Sequence, residues 1–100
     1  MSSYVTRERI AIEITLSNGA PTELSLEIIF DGTSTTYVLG TDSEIVDAGS
    51  GVYRYSFVPT DAQKGIYQYR WYGKDSADLE FALPDDSFTG YESFSVFNEA

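Results

Sequence analysis

The side chains best equipped for chemistry here are sixteen carboxylates, and several lie close together in the chain. Asp75 and Asp78 share one loop segment, Asp85 and Asp86 the next, and Asp42, Glu44 and Asp47 a third. Sandwich loops cluster at two ends, so such groups can converge on Ca²⁺, which takes about six to eight oxygens. Asp75, Asp78, Asp85 and Asp86 are the candidate ligands. The spacing Asp-x-Asp-x-Asp-Gly of an EF-hand is absent, and the plainer reading is a solvated acidic surface. Two carboxylates can also hydrolyse a glycosidic bond. No motif marks such a pair, and a small sandwich leaves little room for a cleft. Histidine and cysteine are absent. That removes the usual zinc sites, Cys and Ser–His nucleophiles and imidazole acid–base work. Gly49-Ser50-Gly51 is followed by no helix whose amides would cradle a phosphate. The expectation is a chain with no catalytic residue, no cofactor and no enzymatic activity.

Aromatic residues offer a second chemistry. Tyr53, Tyr55 and Phe57 recur at every second position, as do Tyr67, Tyr69 and Trp71. Exposed rings in a row would stack on the C–H faces of a sugar. The competing reading is that they are the inward faces of two strands, with hydroxyls reaching the rim. A half-buried strand needs one apolar face, and the period of two supplies it. Val52, Ile66 and Tyr72 fall on the opposite face, where a second apolar surface suggests a protein contact.

One hundred residues make one domain with a modest core. Hydrophobic residues are 42% of the chain, which is globular composition. Six basic residues against sixteen acidic give a net charge of -10. Nucleic acid is an unsuitable partner, since binding phosphates needs Lys and Arg. An anionic membrane surface is unsuitable for the same reason. The start of the chain has no basic stretch followed by an apolar run, so no signal peptide is expected. No apolar stretch reaches the ~18 residues of a membrane helix.

Alternation defines the elements that must position these groups. Ile10, Ile12, Ile14 and Leu16 mark one strand, and Leu24, Leu26, Ile28 and Phe30 another. Asp31-Gly32 is a tight-turn dipeptide, and Thr33 to Leu39 is rich in strand formers. Glu44-Ile45-Val46 predicts a short strand. Residues 52–58 and 66–72 alternate clearly, joined through Pro59 to Gly65. Leu79, Phe81 and Leu83 suggest a short edge strand, a loop or a single helical turn, stopped by Pro84. Tyr91 to Phe97 closes the chain. Turn signals roughly every ten residues predict an all-β fold, an antiparallel sandwich or barrel.

The run Gly51-Val52-Tyr53-Arg54-Tyr55-Ser56-Phe57, then Gly65-Ile66-Tyr67-Gln68-Tyr69-Arg70-Trp71, resembles immunoglobulin-like β-sandwiches. The resemblance implies an Ig-like antiparallel sandwich of about seven strands over residues 8–98, preceded by an arm over residues 1–7. It places Tyr67 where Ig domains carry a tyrosine bonded to the E–F corner. Tyr69 stands at the position of the second Ig cysteine, so no disulfide forms, and the tryptophan of strand C is missing. A direct hairpin at Asp31-Gly32 would conflict with a crossover between sheets at that point.

The whole layout also resembles small Ig-like structural proteins of tailed bacteriophages. The polar start Ser3 to Arg7, the Ile10 to Leu16 strand and the Phe94-Ser95-Val96 ending carry that likeness. It implies a bacteriophage virion structural protein, first a capsid decoration subunit, then a head–tail junction or tail component. Major capsid or other virion proteins, or a second copy, would be the partners, with no nucleic acid and no membrane. The virion would be its location, after synthesis in the host cytoplasm. The expected interface comprises Tyr4, Arg7, Arg9, Val52, Arg54, Ile66, Arg70 and Tyr72. The arm is expected to add to a neighbour's sheet edge, with Arg54 and Arg70 on adjacent outward positions. A carbohydrate- or surface-binding module is the alternative from another class.

Overall fold

The computed structural model describes residues 2–83 and 90–97. Nine strands and one short 3-10 turn follow in order: β1 (Ser2–Val5), β2 (Ile10–Thr15), β3 (Glu23–Phe30), β4 (Thr33–Val38), β5 (Ile45–Gly49), β6 (Val52–Phe57), the turn Asp61–Gln63, β7 (Gly65–Lys74), β8 (Glu80–Leu83) and β9 (Glu92–Phe97). They form two sheets. One runs β1-β9-β7-β3-β4, with β8 also on β7, and the other runs β2-β6-β5. The fold is an all-β, Ig-like sandwich, with nine strands among the described residues where about seven were expected.

Alternation places the core. Ile10, Ile12 and Ile14 of β2 and Tyr53 and Tyr55 of β6 face Leu24, Leu26 and Ile28 of β3, Tyr67 and Trp71 of β7, and Phe94 and Val96 of β9. Burying each such side chain stabilises by roughly 1.5–3 kcal/mol before entropy is counted. The aromatic stripe is therefore core. Phe94 stacks on Tyr67 at 4.9 Å, and Tyr67 stacks on Phe30 at 4.3 Å. Trp71, the single tryptophan, is 2% exposed, and its Nε1 has no hydrogen-bond partner among the described residues.

The corner before β7 is built as the resemblance implies. The Tyr67 hydroxyl donates to the Gln63 carbonyl at 2.7 Å. The Gln63 side chain accepts from the Thr60 N–H at 2.9 Å, fixing the turn. Two glycines admit close neighbours. A side chain at Gly73 would collide with the Glu23 carbonyl of β3, and Gly51 (φ 80°) would meet the Leu16 carbonyl.

Three expectations are settled here. Residues 2–5 are not a free arm. They form β1, which pairs in parallel with β9, Ser3 opposite Ser95 and Val5 opposite Phe97. Asp31-Gly32 does close a direct hairpin, with φ of 53° and 76° as a primed turn demands. No conflict follows, because the crossover between sheets lies earlier, between β2 and β3. Residues 80–83 form a strand and not a helical turn. Its register, Trp71 opposite Leu83 and Lys74 opposite Glu80, continues the edge of β7 beyond β9. Pro84, Asp85 and Asp86 lie outside the described residues.

Candidate functional site

The large sheet carries the more elaborate outer face. Even-numbered positions of β7 point outwards, opposite odd-numbered positions of β3: Arg70 opposite Glu27, Tyr72 opposite Ser25 and Gln68 opposite Ile29. At the centre sits Glu27. Its Oε1 accepts from Arg70 Nε at 2.9 Å and from the Tyr91 hydroxyl at 3.0 Å, and its Oε2 accepts from the Ser34 hydroxyl at 2.6 Å. The Ser34 bond, with those of Tyr91 and Arg70 behind it, outweighs burial and holds the carboxyl below its ordinary pKa. The Arg70 guanidinium lies 5.1 Å from the ring centres of both Tyr72 and Tyr91. Burial, then the bond to Glu27, raises the Tyr91 phenol. The arrangement is a satisfied network, which fixes side chains rather than preparing one to react.

Below this network the face turns apolar. Val5 and Phe97 are opposite one another on β1 and β9, and Ile66 sits diagonally on β7, opposite Ser95. All three point outwards, with exposures of 37%, 58% and 62%. Val5 and Phe97 were not among the expected interface residues. Phe97 belongs to a strand whose inward members, Phe94 and Val96, carry the pattern, so its own outward position was the available signal.

The eight expected interface residues do not form one surface. Ile66, Arg70 and Tyr72 share the outer face of the large sheet. Val52 and Arg54 lie on the outer face of the small sheet, so Arg54 and Arg70 sit on opposite sides of the molecule. Arg54 Nε bonds Glu13 Oε2 at 2.5 Å across the β6–β2 pair. Tyr4 points inwards and packs edge-on against Phe94 at 5.5 Å. Arg7 clasps Asp61 Oδ2 at 2.6 Å, while the buried Thr6 hydroxyl donates to Asp61 Oδ1 at 3.0 Å. These bonds, Arg7's first, lower the Asp61 pKa. Arg9 Nη1 reaches the Ser56 hydroxyl at 3.4 Å. Face parity along one strand is legible from sequence; the sheet that strand joins is not.

The acidic loops spend their oxygens on nearby backbone and side-chain donors. Asp75 Oδ1 accepts from the N–H of Ala77 and of Leu79, at 2.9 and 3.0 Å. Asp78 Oδ1 accepts from Thr22 at 3.1 Å. Asp42 and Asp47 cap the N–H of Val38 and of Gly49, both at 2.9 Å. Among the described residues no group of three His, Cys, Asp or Glu side chains is placed to hold a metal. Asp75 and Asp78 therefore act as turn residues, and Asp85 and Asp86 lie outside the described residues.

One cleft opens between the sheets at the β4 edge. It encloses about 190 Å³ and is walled by Phe30, Tyr37, Tyr55, Phe57 and Tyr67, with Thr33, Thr35 and Gln63 among its other lining residues. Tyr37 bridges the sheets: its ring lies 4.7 Å from that of Tyr55, and their hydroxyls meet at 3.3 Å. Burial first, then this bond, raises the Tyr55 phenol far above its ordinary pKa. The walls present rings, hydroxyls and one amide, suited to holding an apolar group. Among the described residues no helix is long and apolar enough to cross a membrane.

The fold and these surfaces define an Ig-like β-sandwich with two outer faces of different character and an aromatic cleft between the sheets at the β4 edge. Comparison with known proteins adds no family to that description, since no protein-family model and no curated protein matches the chain.

Proposed function

We propose that this chain is a non-enzymatic structural subunit that docks on another protein through the outer face of its large sheet. The supporting observation is the exposed apolar row Val5, Phe97 and Ile66 at the β1–β9–β7 end of that face. Burying it would gain roughly 25 cal/mol per Å² of apolar surface. Many copies on a repeating shell would let each weak contact count through avidity. The resemblance to small tailed-phage proteins makes the partner a virion shell, with this chain as a capsid decoration subunit. A sugar platform is less well supported. Tyr53, Tyr55, Tyr67 and Trp71 are buried, and the outer tyrosines Tyr72 and Tyr91 flank Arg70 instead of forming a flat row.

Light scattering tests the proposal, with the purified chain alone and then mixed with virion shells or tails from its source. A monomer gaining mass only with shells supports decoration, and Ile66→Asp with Phe97→Asp should abolish the gain. A stable ring of the chain alone moves the role to a head–tail junction or tail component. A monomer that binds neither fraction removes the virion reading.

A further inference from the structure

The opposite edge of the same sheet offers a different kind of contact. Among the described residues strand β4 is terminal in the sheet and pairs only with β3. The Leu39 N–H bonds the Leu24 carbonyl at 2.9 Å, which fixes the phase of that ladder. Antiparallel bonding alternates, so the N–H and C=O of Thr33, Thr35 and Tyr37 face β3. Those of Ser34, Thr36 and Val38 face away. The Val38 pair is occupied by Asp42, whose Oδ2 takes the N–H at 2.9 Å and whose own N–H reaches the carbonyl at 2.8 Å. Ser34 and Thr36 remain, with two donors and two acceptors along the edge.

This edge lacks the usual protections. The stretch Thr33-Ser34-Thr35-Thr36-Tyr37-Val38 has no charge and no proline, the two commonest ways of discouraging a further strand. The cleft lies at the same place. Thr33, Thr35 and Tyr37, the inward side chains of β4, are part of its lining. An added strand would therefore find backbone partners at Ser34 and Thr36 and an aromatic recess beside them for every second side chain.

Charge selects the occupant further. Residues 10–53 contain seven acidic residues and no base. Asp31 stands at one end of β4, and Asp42 and Glu44 follow the other. Lys64 adjoins the Gln63 lining, and the remaining bases lie on or beside β1, β2, β6 and β7. We propose that the Ser34–Thr36 edge and its aromatic cleft take up an extended segment of a partner protein, with apolar side chains at alternate positions and basic residues flanking them. This goes beyond the shell-docking face, which lies at the other end of the sheet.

The probe is the synthetic peptide Lys-Thr-Val-Thr-Phe-Thr-Lys, titrated into the full chain by calorimetry, with amide exchange followed by NMR. Binding should protect the Ser34 and Thr36 amides. Thr36→Pro removes one outward donor and should weaken binding about tenfold, the loss expected for hydrogen bonding of ~1.4 kcal/mol. Thr35→Lys puts a cation in the cleft mouth and should weaken it at least as much. Both changes sit at exposed positions, and unchanged melting of either variant shows that the fold is intact. Three results would each overturn the proposal: no binding to the wild-type chain, equal binding of the peptide with glutamates in place of lysines, or dimerisation without peptide that Thr36→Pro abolishes. The last would make a second copy the occupant. Ile66→Asp with Phe97→Asp should leave peptide binding unchanged, so a failed shell assay and a failed peptide assay are separate outcomes.

Discussion

The six-stranded sheet ends in β1 on one side and in β4 on the other, and the two edges are finished differently. β1 is four residues long, and shortness itself limits pairing. It is pinned from behind. The Thr6 N–H bonds the Phe97 carbonyl and the Arg7 N–H bonds the Pro59 carbonyl, both at 2.8 Å, while Asp61 holds both side chains. Tyr4 seals the core beneath it against Phe94. β4 is six residues long, uncharged, and capped only at its last residue by Asp42. The same sheet thus has one edge that is short and anchored at its end into a corner, and one that is longer and uncharged. The lesson concerns where stability is concentrated: the β1 edge is tied into a corner, whereas β4 is tied mainly to β3.

Proline placement gives the sharpest test of that contrast. Thr35→Pro should cost about 1–3 kcal/mol, because it removes a donor that faces β3 and leaves its acceptor there unpaired. Thr36→Pro should stay within about 0.5 kcal/mol, because its N–H faces away and edge strands tolerate proline there. Chemical denaturation of the two variants reads the difference. Equal losses would mean that β4 has a partner on both sides.

The corner behind β1 comes next. Tyr67→Phe keeps both ring stacks but removes the bond to the Gln63 carbonyl. A loss of about 1 kcal/mol is expected from the same denaturation measurement. No change would reduce the corner to shape alone.

Acid should act least, and on both edges. Asp61 secures β1, and Glu27 holds Ser34 of β4. Both carboxyls have folded pKa values below their ordinary ones. Their contribution is therefore complete above the ordinary carboxylate range, and it is lost as pH falls through the lower folded values. On the acid side, melting temperature against pH should decline in that window. Asp61→Asn should flatten part of the decline, and Glu27→Gln another part.

Much of the fold was legible because its strands obey a period of two. Ile10 to Leu16, Leu24 to Phe30, Val52 to Phe57 and Ile66 to Tyr72 each announce an inward face, and the structure buries it. The corner role of Tyr67 came from the resemblance to immunoglobulin-like sandwiches, and its hydroxyl does bond the Gln63 carbonyl. Ser2 to Val5 gave no such signal. Its place in the sheet depends on β9, some ninety positions along the chain, and on the Thr6–Asp61 and Arg7–Asp61 bonds. The expected interface failed for a related reason. Val52 and Ile66 each point outwards, but membership of different sheets, a matter of long-range pairing, sends them to opposite sides. The β4 edge was hidden too: a strand former such as Thr36 looks the same whether it has one neighbour or two.

The solitary Trp71 has a practical bearing on all of these experiments. It sits at the centre of the core opposite Leu26, away from the outer face and from the Ser34–Thr36 edge. Its emission should respond when the two layers separate and water reaches the indole. It should stay silent when a peptide or a shell protein settles on the surface. The molecule thus carries a built-in optical gauge of unfolding that is blind to docking, and a ligand-induced change in that emission would report a rearranged interior rather than an occupied surface.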